Sequence, residues 1–153
     1  EGLTVIKSIS KSYGVPGLRL GVLASGNQEL LSFIKKDVSI WNINSYAEFF
    51  MQIFEKYKGA YENGLDQIRH ERARFIEELK KIPEITVFPS EANYVMVRLH
   101  TITARELTNR LLKEDNLLIK DLSDKVGENY IRLAVRKRED NDRLLVALRR
   151  MVS

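Results

Sequence analysis

The chain has 153 residues, of which 44% are hydrophobic and 30% are charged, so we expect a packed core rather than disorder. It contains no cysteine, which excludes disulfide scaffolds, thiol nucleophiles and cysteine-ligated zinc, and no apolar run approaches the roughly 20 residues of a membrane-spanning helix. The net charge is +4, and this whole excess lies in residues 132–153. There, Arg143, Arg149 and Arg150 favour the carboxyl end of a solvated helix over a nucleic-acid surface.

Residues 3–9 form a short, apolar, β-branched segment that predicts a buried β-strand, and residues 18–24 predict a second strand. Between them, residues 10–17 are polar and are broken by glycine and proline, which predicts a loop. Gly26 and Asn27 then open a helix that runs to about residue 38. Because the chain has no initiator methionine and begins inside a predicted strand, we expect it to be a piece of a longer protein.

A long helical region is predicted from residue 45 to residue 81. Ser45 and Glu48 have the spacing of a capping box, and apolar side chains then recur at helical intervals. Gly59 and Gly64 predict an interruption, after which the helix resumes by residue 65 and ends before Pro83.

The chain beyond Pro83 combines strands and helices. Alternating apolar side chains predict strands at residues 85–88, 93–99, 117–120 and 130–135. Helices are predicted at residues 103–114, where Thr103 and Glu106 fit a second capping box, and at residues 139–151. These patterns divide the chain into the end of an α/β domain (1–44), a helical connector (45–82) and a small α+β domain (83–153).

The segment from Ser8 to Gly21 carries the most distinctive chemistry of the chain. Lys11 follows a predicted buried strand, where a lysine with a depressed pKa can form a Schiff base with an aldehyde. Arg19, eight residues later, offers a planar fork for a phosphate dianion, and the hydroxyls of Ser8 and Ser10 can donate to the same oxygens. These residue types suit an aldehyde cofactor that also carries a phosphate.

Three other kinds of site are not supported. Ser8 and Lys11 fit the Ser-x-x-Lys motif of penicillin-binding proteins, but the Ser-Asp-Asn and Lys-Thr-Gly partners of that motif are missing. Lys11 also lacks the preceding glycines that a nucleotide-binding P-loop requires. His70 and His100 are far apart and have no acidic cluster at ligand spacing, so a metal site is not predicted.

The complete segment from Ser8 to Gly21 resembles the lysine signature of class I/II aminotransferases, which are fold type I enzymes that use pyridoxal 5'-phosphate (PLP). The resemblance implies that Lys11 binds the cofactor aldehyde as a Schiff base, and that Ser8, Ser10 and Arg19 hold the cofactor phosphate. It also implies an α/β fold class in which this chain is the C-terminal portion of the PLP-dependent transferase fold. That portion comprises the end of the large-domain sheet, a connecting helix and a small α+β domain.

Two further regions extend the resemblance. Residues 89–95 are similar to the segment that opens the family's small domain, and residues 119–123 and 130–135 are similar to its closing strands. By this likeness, Arg132 binds the α-carboxylate of the substrate as a bidentate clamp. An arginine in an apolar strand is costly unless it is paired, which predicts a buried anion partner: a substrate, or a carboxylate such as that of Asp121.

Within the family, the chain most resembles histidinol-phosphate aminotransferases and threonine-phosphate decarboxylases. Trp41 lies in a segment similar to one in the second group, and Arg136 adds a cation that either binds a phosphorylated substrate or faces solvent. Asn44 is a candidate contact to the substrate across a dimer, or else a helix cap. The likeness implies a cytoplasmic homodimer that acts on a small amino-acid substrate and binds neither metal, nucleic acid nor membrane.

Three functions therefore remain open: transamination of an amino acid or amino-phosphate, decarboxylation of an amino-acid phosphate, and an inactive domain fragment. In the family, the residues that contact the cofactor ring precede the lysine strand, and this chain contains none of that region. We therefore expect no useful turnover from the 153 residues alone.

Overall fold

Residues 2–153 are described by a computed structural model, in which the chain divides into two units, one up to Asn63 and one from Gly64 to Ser153. The first unit contains β1 (Thr4–Lys7), α1 (Ile9–Ser12), a 3-10 turn (Pro16–Leu18), β2 (Val22–Ser25) and α2 (Gln28–Asp37). A long helix, α3 (Ser45–Lys80), contributes residues to both units. The second unit continues with β3 (Ile85–Val87), β4 (Tyr94–Leu99), α4 (Ala104–Asp115), β5 (Lys120–Asp121), β6 (Tyr130–Ala134) and α5 (Arg138–Val152).

The first two strands form an antiparallel pair in which Thr4 lies opposite Ser25 and Lys7 lies opposite Val22. Both predicted strands are present, although each is shorter than expected. The prediction that the first strand is buried is wrong, because every residue of β1 is exposed and Ile6 keeps 77% of its surface accessible. A two-stranded sheet buries little surface by itself, so its apolar side chains remain in contact with solvent.

The segment predicted as a loop contains two short helical turns. In α1, the N–H groups of Lys11 and Ser12 both donate to the carbonyl oxygen of Ser8, at 3.2 and 3.0 Å. Pro16 opens the 3-10 turn, where its fixed φ suits a first helical position and its missing N–H leaves no donor unsatisfied. The expectation of an irregular loop was therefore wrong for these residues.

The long helix α3 is continuous, so the interruption predicted at Gly59 and Gly64 is wrong. Glycine in a helix interior costs roughly 1 kcal/mol relative to alanine, but each further helical residue adds a hydrogen bond without a new nucleation cost. The helix is capped by Asn44 rather than by Ser45: the Asn44 side-chain oxygen accepts the N–H of Ala47 at 2.9 Å.

The second unit is built on a four-stranded antiparallel sheet in the order β3-β4-β6-β5. The predicted alternation is confirmed in β4, where Val95, Val97 and Leu99 are buried on the face that carries the core. In α5, Leu144 and Leu148 recur at helical spacing and reach the same core. The strand predicted at residues 117–120 is reduced to β5, and Thr103 caps α4 as expected by accepting the N–H of Glu106.

A partly buried polar network joins α3 to the beginning of α5. Arg74 donates two hydrogen bonds to the Glu71 carboxylate, at 2.9 and 2.6 Å, and also pairs with Asp142 at 2.7 Å. Asn141, which is 1% exposed, donates to Glu71 at 2.8 Å and exchanges hydrogen bonds with the backbone of Arg136. The network satisfies a buried amide and fixes the segment that connects β6 to α5.

The arginines near the carboxyl end of α5 are paired within the second unit. Arg149 pairs with Glu78 at 3.0 Å, and Arg150 pairs with Asp115 at 2.6 Å. Arg143 donates to the carbonyl oxygen of Asp115. These contacts give three of the basic side chains of residues 132–153 a structural role.

We expect Glu71→Gln to weaken the fold and to flatten its acid dependence. The hydrogen bonds from Arg74, with a further one from Asn141, lower the pKa of the Glu71 carboxyl. A carboxyl whose pKa is lower in the folded chain stabilises the fold above its unfolded pKa, and this contribution is lost as pH falls through the folded pKa. The variant should be about 1–2 kcal/mol less stable at pH 7 and lose less stability between about pH 5 and pH 3.

Urea unfolding at several pH values, followed by circular dichroism, measures both effects. The exposed Glu77, which pairs with Lys80 on the same helix, provides the matched control Glu77→Gln. An acid dependence of Glu71→Gln equal to that of the wild type would show that the network contributes nothing to pH stability.

Candidate functional site

The loop that carries Lys11 and Arg19 is closed at its base by Ser10 and Leu20. The backbone N–H of Ser10 donates to the carbonyl oxygen of Leu20 at 3.1 Å, and the N–H of Leu20 donates to the Ser10 hydroxyl at 2.5 Å. Both residues are buried, at 3% and 7% exposure. Because Lys11 follows Ser10 and Arg19 precedes Leu20, this double contact holds the two cationic residues at the two ends of one closed loop.

Three of the predicted ligand-binding side chains, those of Ser8, Lys11 and Arg19, make no hydrogen bond or ion pair with another described residue. Lys11 lies in α1 and Ser8 precedes it, both exposed, and the Ser8 hydroxyl makes no hydrogen bond to the helix that it opens. Among residues 2–153, no carboxylate oxygen lies within 4.0 Å of the Lys11 amine or the Arg19 guanidinium. Each cation therefore keeps its hydrogen-bond donors for an external partner.

Arg19 adopts a left-handed backbone conformation, with φ of 54° and ψ of 38°. For a residue with a side chain this conformation is uncommon and costs of the order of 1–2 kcal/mol, so the surrounding loop must enforce it. Gly14, whose φ is +69°, supplies the second left-handed turn within the same loop. Strained backbone of this kind is concentrated at ligand-binding sites.

An aromatic cluster on α3 supports the loop from inside the first unit. The Tyr13 ring packs 4.6 Å from that of Phe54 and 4.8 Å from that of Tyr61, measured between ring centroids. The Tyr61 hydroxyl donates to the carbonyl oxygen of Ser12 at 2.9 Å. Tyr13 thus packs against the helix, and the residue that follows Lys11 is anchored through its backbone.

Two of the predicted site residues already have partners within the fold. Besides accepting from Leu20, the Ser10 hydroxyl donates to the Leu20 carbonyl oxygen at 3.2 Å. The Asn44 side chain caps α3 and donates to the carbonyl oxygen of Leu18 at 3.0 Å. Both side chains shape the first unit, while a phosphate contact from Ser10 and a substrate contact from Asn44 remain predictions.

In the second unit, Arg132 lies on the open face of the sheet. It is exposed, so the prediction of a buried arginine was wrong: residues of β6 alternate between the core and solvent, and Arg132 falls on the solvent side. Its guanidinium carbon lies 4.9 Å from the centroid of the Tyr94 ring. In the sheet register it stands opposite Met96 on one side and Lys120 on the other.

Asp121 is not the partner of Arg132. It accepts hydrogen bonds from the hydroxyl and the backbone N–H of Ser123, which lower the pKa of its carboxyl, and it lies 3.9 Å from Arg105. No carboxylate within the described part of the chain comes within 4.0 Å of the Arg132 nitrogens. Arg132 is therefore an exposed cation held beside a neutral ring.

Arg136 lines a groove of about 840 Å³ in the second unit, together with His70, Arg74 and Asp140, and Arg132 does not line it. The Arg136 guanidinium pairs with Asp140 at 2.9 Å, on the first turn of α5. The structure thus does not bring the two predicted substrate arginines into one cavity, and a substrate contact by Arg136 remains a prediction.

Tyr94 and Lys120, for which no motif predicts a role, flank Arg132 on the open sheet face. The period-2 alternation of β4 and β6 was a usable signal, since it places alternate residues of each strand on one face. The strand register, which the sequence does not reveal, decides that Tyr94 is the aromatic residue beside Arg132.

The arrangement of the first unit fits a phosphate-bearing aldehyde. It provides one amine, one unpaired guanidinium and one free hydroxyl around a closed loop, which are the groups required to bind a carbonyl carbon and a phosphate. Within residues 2–153, no cluster of histidine or acidic side chains is placed to hold a metal ion. The same residues include no helix that is both long enough and apolar enough to cross a membrane.

Comparison with known proteins assigns the chain to a family. The family model described as aminotransferase class I and II matches residues 1–148. CMP-5'-(3-aminopropyl)phosphonate synthase of Streptomyces rubellomurinus is 35% identical over 99% of this chain and 25% of its own length. L-serine phosphate decarboxylase of Sulfurospirillum multivorans is 33% identical over 95% of this chain and 38% of its own length.

Among solved structures, the histidinol-phosphate aminotransferase from Clostridium acetobutylicum superimposes with a TM-score of 0.86 and 36% identity, over 96% of this chain and 45% of that one. The chain thus spans less than half the length of each of these relatives. The resemblance inferred from the sequence is confirmed: the chain belongs to the aminotransferase class I and II family, whose members use PLP, and it carries part of that fold.

Proposed function

We propose that this chain supplies the cofactor-anchoring lysine and the phosphate-binding arginine of a PLP-dependent aminotransferase. The observation that carries the proposal is the double contact between Ser10 and Leu20, which holds Lys11 and Arg19 at the ends of one loop. Neither cation has a carboxylate partner among the described residues, and the family is one of PLP enzymes.

In this proposal the residues of the first unit hold the cofactor at its two ends. The Lys11 amine binds the aldehyde covalently, while the Arg19 fork and the Ser8 hydroxyl bind the phosphate oxygens. When bound, PLP supplies an electron sink for the electron pair left at the substrate Cα. With substrate present, the Lys11 Nζ would be the base that removes the Cα proton, and in a transamination its conjugate acid would deliver that proton to the former aldehyde carbon.

In the second unit, Arg132 is proposed to bind the α-carboxylate of the substrate. Its guanidinium is exposed and has no acidic partner among residues 2–153, so two parallel N–H groups are available for a carboxylate. A bidentate contact fixes the orientation of the bonds around Cα, which determines the bond that breaks.

Decarboxylation of an amino-acid phosphate is the second candidate. It is favoured by the relative named L-serine phosphate decarboxylase, at 33% identity. The same residues would serve both reactions, and the outcome depends on whether the Cα–H or the Cα–carboxylate bond is aligned for cleavage. A third reading is an inactive domain fragment, because the chain spans less than half the length of its relatives. A homodimer remains a prediction, supported by the exposed apolar side chains of Ile40 and Trp41, which are 90% and 88% accessible. A cytoplasmic location also remains a prediction.

Trapping of the cofactor tests the role of Lys11. We expect the chain mixed with PLP to show a new absorbance band at the edge of the visible range, and borohydride to convert the bound cofactor into a stable adduct on Lys11. Lys11→Ala should abolish the adduct at the corresponding tryptic peptide. The control Lys7→Ala removes a nearby lysine whose amine lies over the Tyr13 ring, and it should leave the adduct unchanged. Equal labelling in Lys11→Ala and wild type would reject the proposal and favour an inactive domain.

The role of Arg19 is tested by comparing PLP with pyridoxal, which has the aldehyde but no phosphate. We expect Arg19→Ala to weaken PLP binding about tenfold or more, since a hydrogen bond to a charged group contributes roughly 1.5–3 kcal/mol. Pyridoxal binding should change little, because the lost contact is to phosphate. Equilibrium titration by absorbance measures both affinities. An equal loss for the two aldehydes would mean that Arg19 shapes the loop without binding phosphate.

A further inference from the structure

We propose that Tyr94 is a positioning residue that holds the guanidinium of Arg132 ready to bind a carboxylate. The inference deepens the proposed function, on which it rests, because it explains how an exposed arginine side chain is kept in place without an acidic partner. Tyr94 acts through Arg132 and does not itself contact the anion in this proposal.

The sheet register places the ring where it can reach the guanidinium. Tyr94 on β4 lies opposite Ala134 on β6, and Met96 lies opposite Arg132. Tyr94 and Arg132 are therefore diagonal neighbours on one face, a separation that aromatic and long side chains can bridge. The small side chain of Ala134 leaves room for the ring, and the guanidinium carbon lies 4.9 Å from the ring centroid.

Arg132 is held by an aromatic ring, whereas most arginines of the second unit are held by carboxylates. Arg72, Arg74 and Arg149, for example, are held by carboxylates at 2.5–3.0 Å. Such pairs occupy N–H donors and neutralise the charge. The π face of a ring attracts the cation, but the ring is not a conventional hydrogen-bond acceptor. Arg132 therefore keeps its full charge, and the N–H donors of its planar guanidinium stay unoccupied.

Tyr94 is itself fixed at the beginning of β4 by the preceding segment. The Ser90 hydroxyl donates to the Tyr94 carbonyl oxygen at 2.6 Å, and the N–H of Val135 donates to the Asn93 carbonyl oxygen at 2.9 Å. Arg72 on α3 donates to the carbonyl oxygen of Glu91 at 2.8 Å. The backbone that bears the ring is thus bonded to both α3 and the end of β6.

A positioned guanidinium loses less conformational freedom when an anion binds. An exposed arginine side chain samples many rotamers, and ordering it on binding opposes affinity. Contact with a fixed ring removes part of that freedom beforehand. The expected consequence of removing the ring is weaker binding of a carboxylate by Arg132, without loss of the charge.

The experiment follows the Arg132 Nε–H resonance in ¹⁵N-labelled protein while the 153-residue chain is titrated with succinate, a dicarboxylate probe. Arg132→Lys assigns the resonance. Tyr94→Leu removes the ring, Tyr94→Phe retains it, and Tyr130→Leu removes a tyrosine ring of the same sheet that packs on Phe88 instead. Dispersion of the backbone amide resonances reports whether each variant remains folded.

We expect Tyr94→Leu to shift the Arg132 resonance through loss of the ring current and to weaken succinate binding about three- to fivefold. Tyr94→Phe should bind as the wild type does, and Tyr130→Leu should leave both readings unchanged. Amide dispersion that is the same in every variant would show that the weaker succinate binding of Tyr94→Leu arises at Arg132. A merely structural role of Tyr94 would instead reduce the amide dispersion.

Two results would overturn the inference and are distinguishable from each other. If succinate shifts the wild-type resonance and Tyr94→Leu binds equally well, Tyr94 has no positioning role, while the proposed role of Arg132 stands. If succinate does not perturb Arg132 in the wild type, the proposed carboxylate site fails and the role of Tyr94 fails with it. The borohydride adduct at Lys11 reports separately on the cofactor part of the proposed function.

Discussion

The closure of residues 10–20 by Ser10 and Leu20 is the constraint on which the functional account depends. Two short backbone segments, separated by a loop with two helical turns, are joined through a buried hydroxyl and three backbone groups. The pairing of β1 with β2 ends at Lys7 and Val22, so this contact is what extends the closure to the segments that carry Lys11 and Arg19. With it, an amine and a guanidinium flank one closed loop whose strained backbone is supported from α3.

Both units of the chain present an exposed arginine whose charge is not neutralised by an acidic neighbour among the described residues. In the first unit this is Arg19, held by a left-handed backbone; in the second it is Arg132, held beside an aromatic ring. Most other arginines of the second unit pair with carboxylates and stabilise the fold. The arginines that pair with carboxylates therefore stabilise the fold, whereas Arg19 and Arg132 remain available to a ligand.

Local signals in the sequence were sufficient for most elements. The alternation of Val95, Val97 and Leu99 gave the buried face of β4, and Thr103 marked the beginning of α4. The signature from Ser8 to Gly21 identified the family, which the comparisons confirm. Each of these features depends on residues close together in the sequence, so pattern and propensity determine them.

The errors came from long-range packing and from cooperativity. The segment 3–9 looks buried because it is apolar. Whether a strand is buried depends on a second layer packed over it, which a local sequence pattern does not reveal. Gly59 and Gly64 each disfavour helix, yet α3 passes through both because propagation is cooperative. The pairing of Arg132 with Tyr94 depends on the register between two strands with thirty residues of chain between them, 100–129, which a local pattern does not reveal.

A crystal structure of the chain reduced with borohydride in the presence of PLP would test the central claim most directly. The account predicts electron density continuous from the Lys11 Nζ to the cofactor, with the phosphate oxygens within hydrogen-bond distance of the Arg19 guanidinium and the Ser8 hydroxyl. A cofactor attached to another lysine, or a phosphate directed away from Arg19, would contradict it.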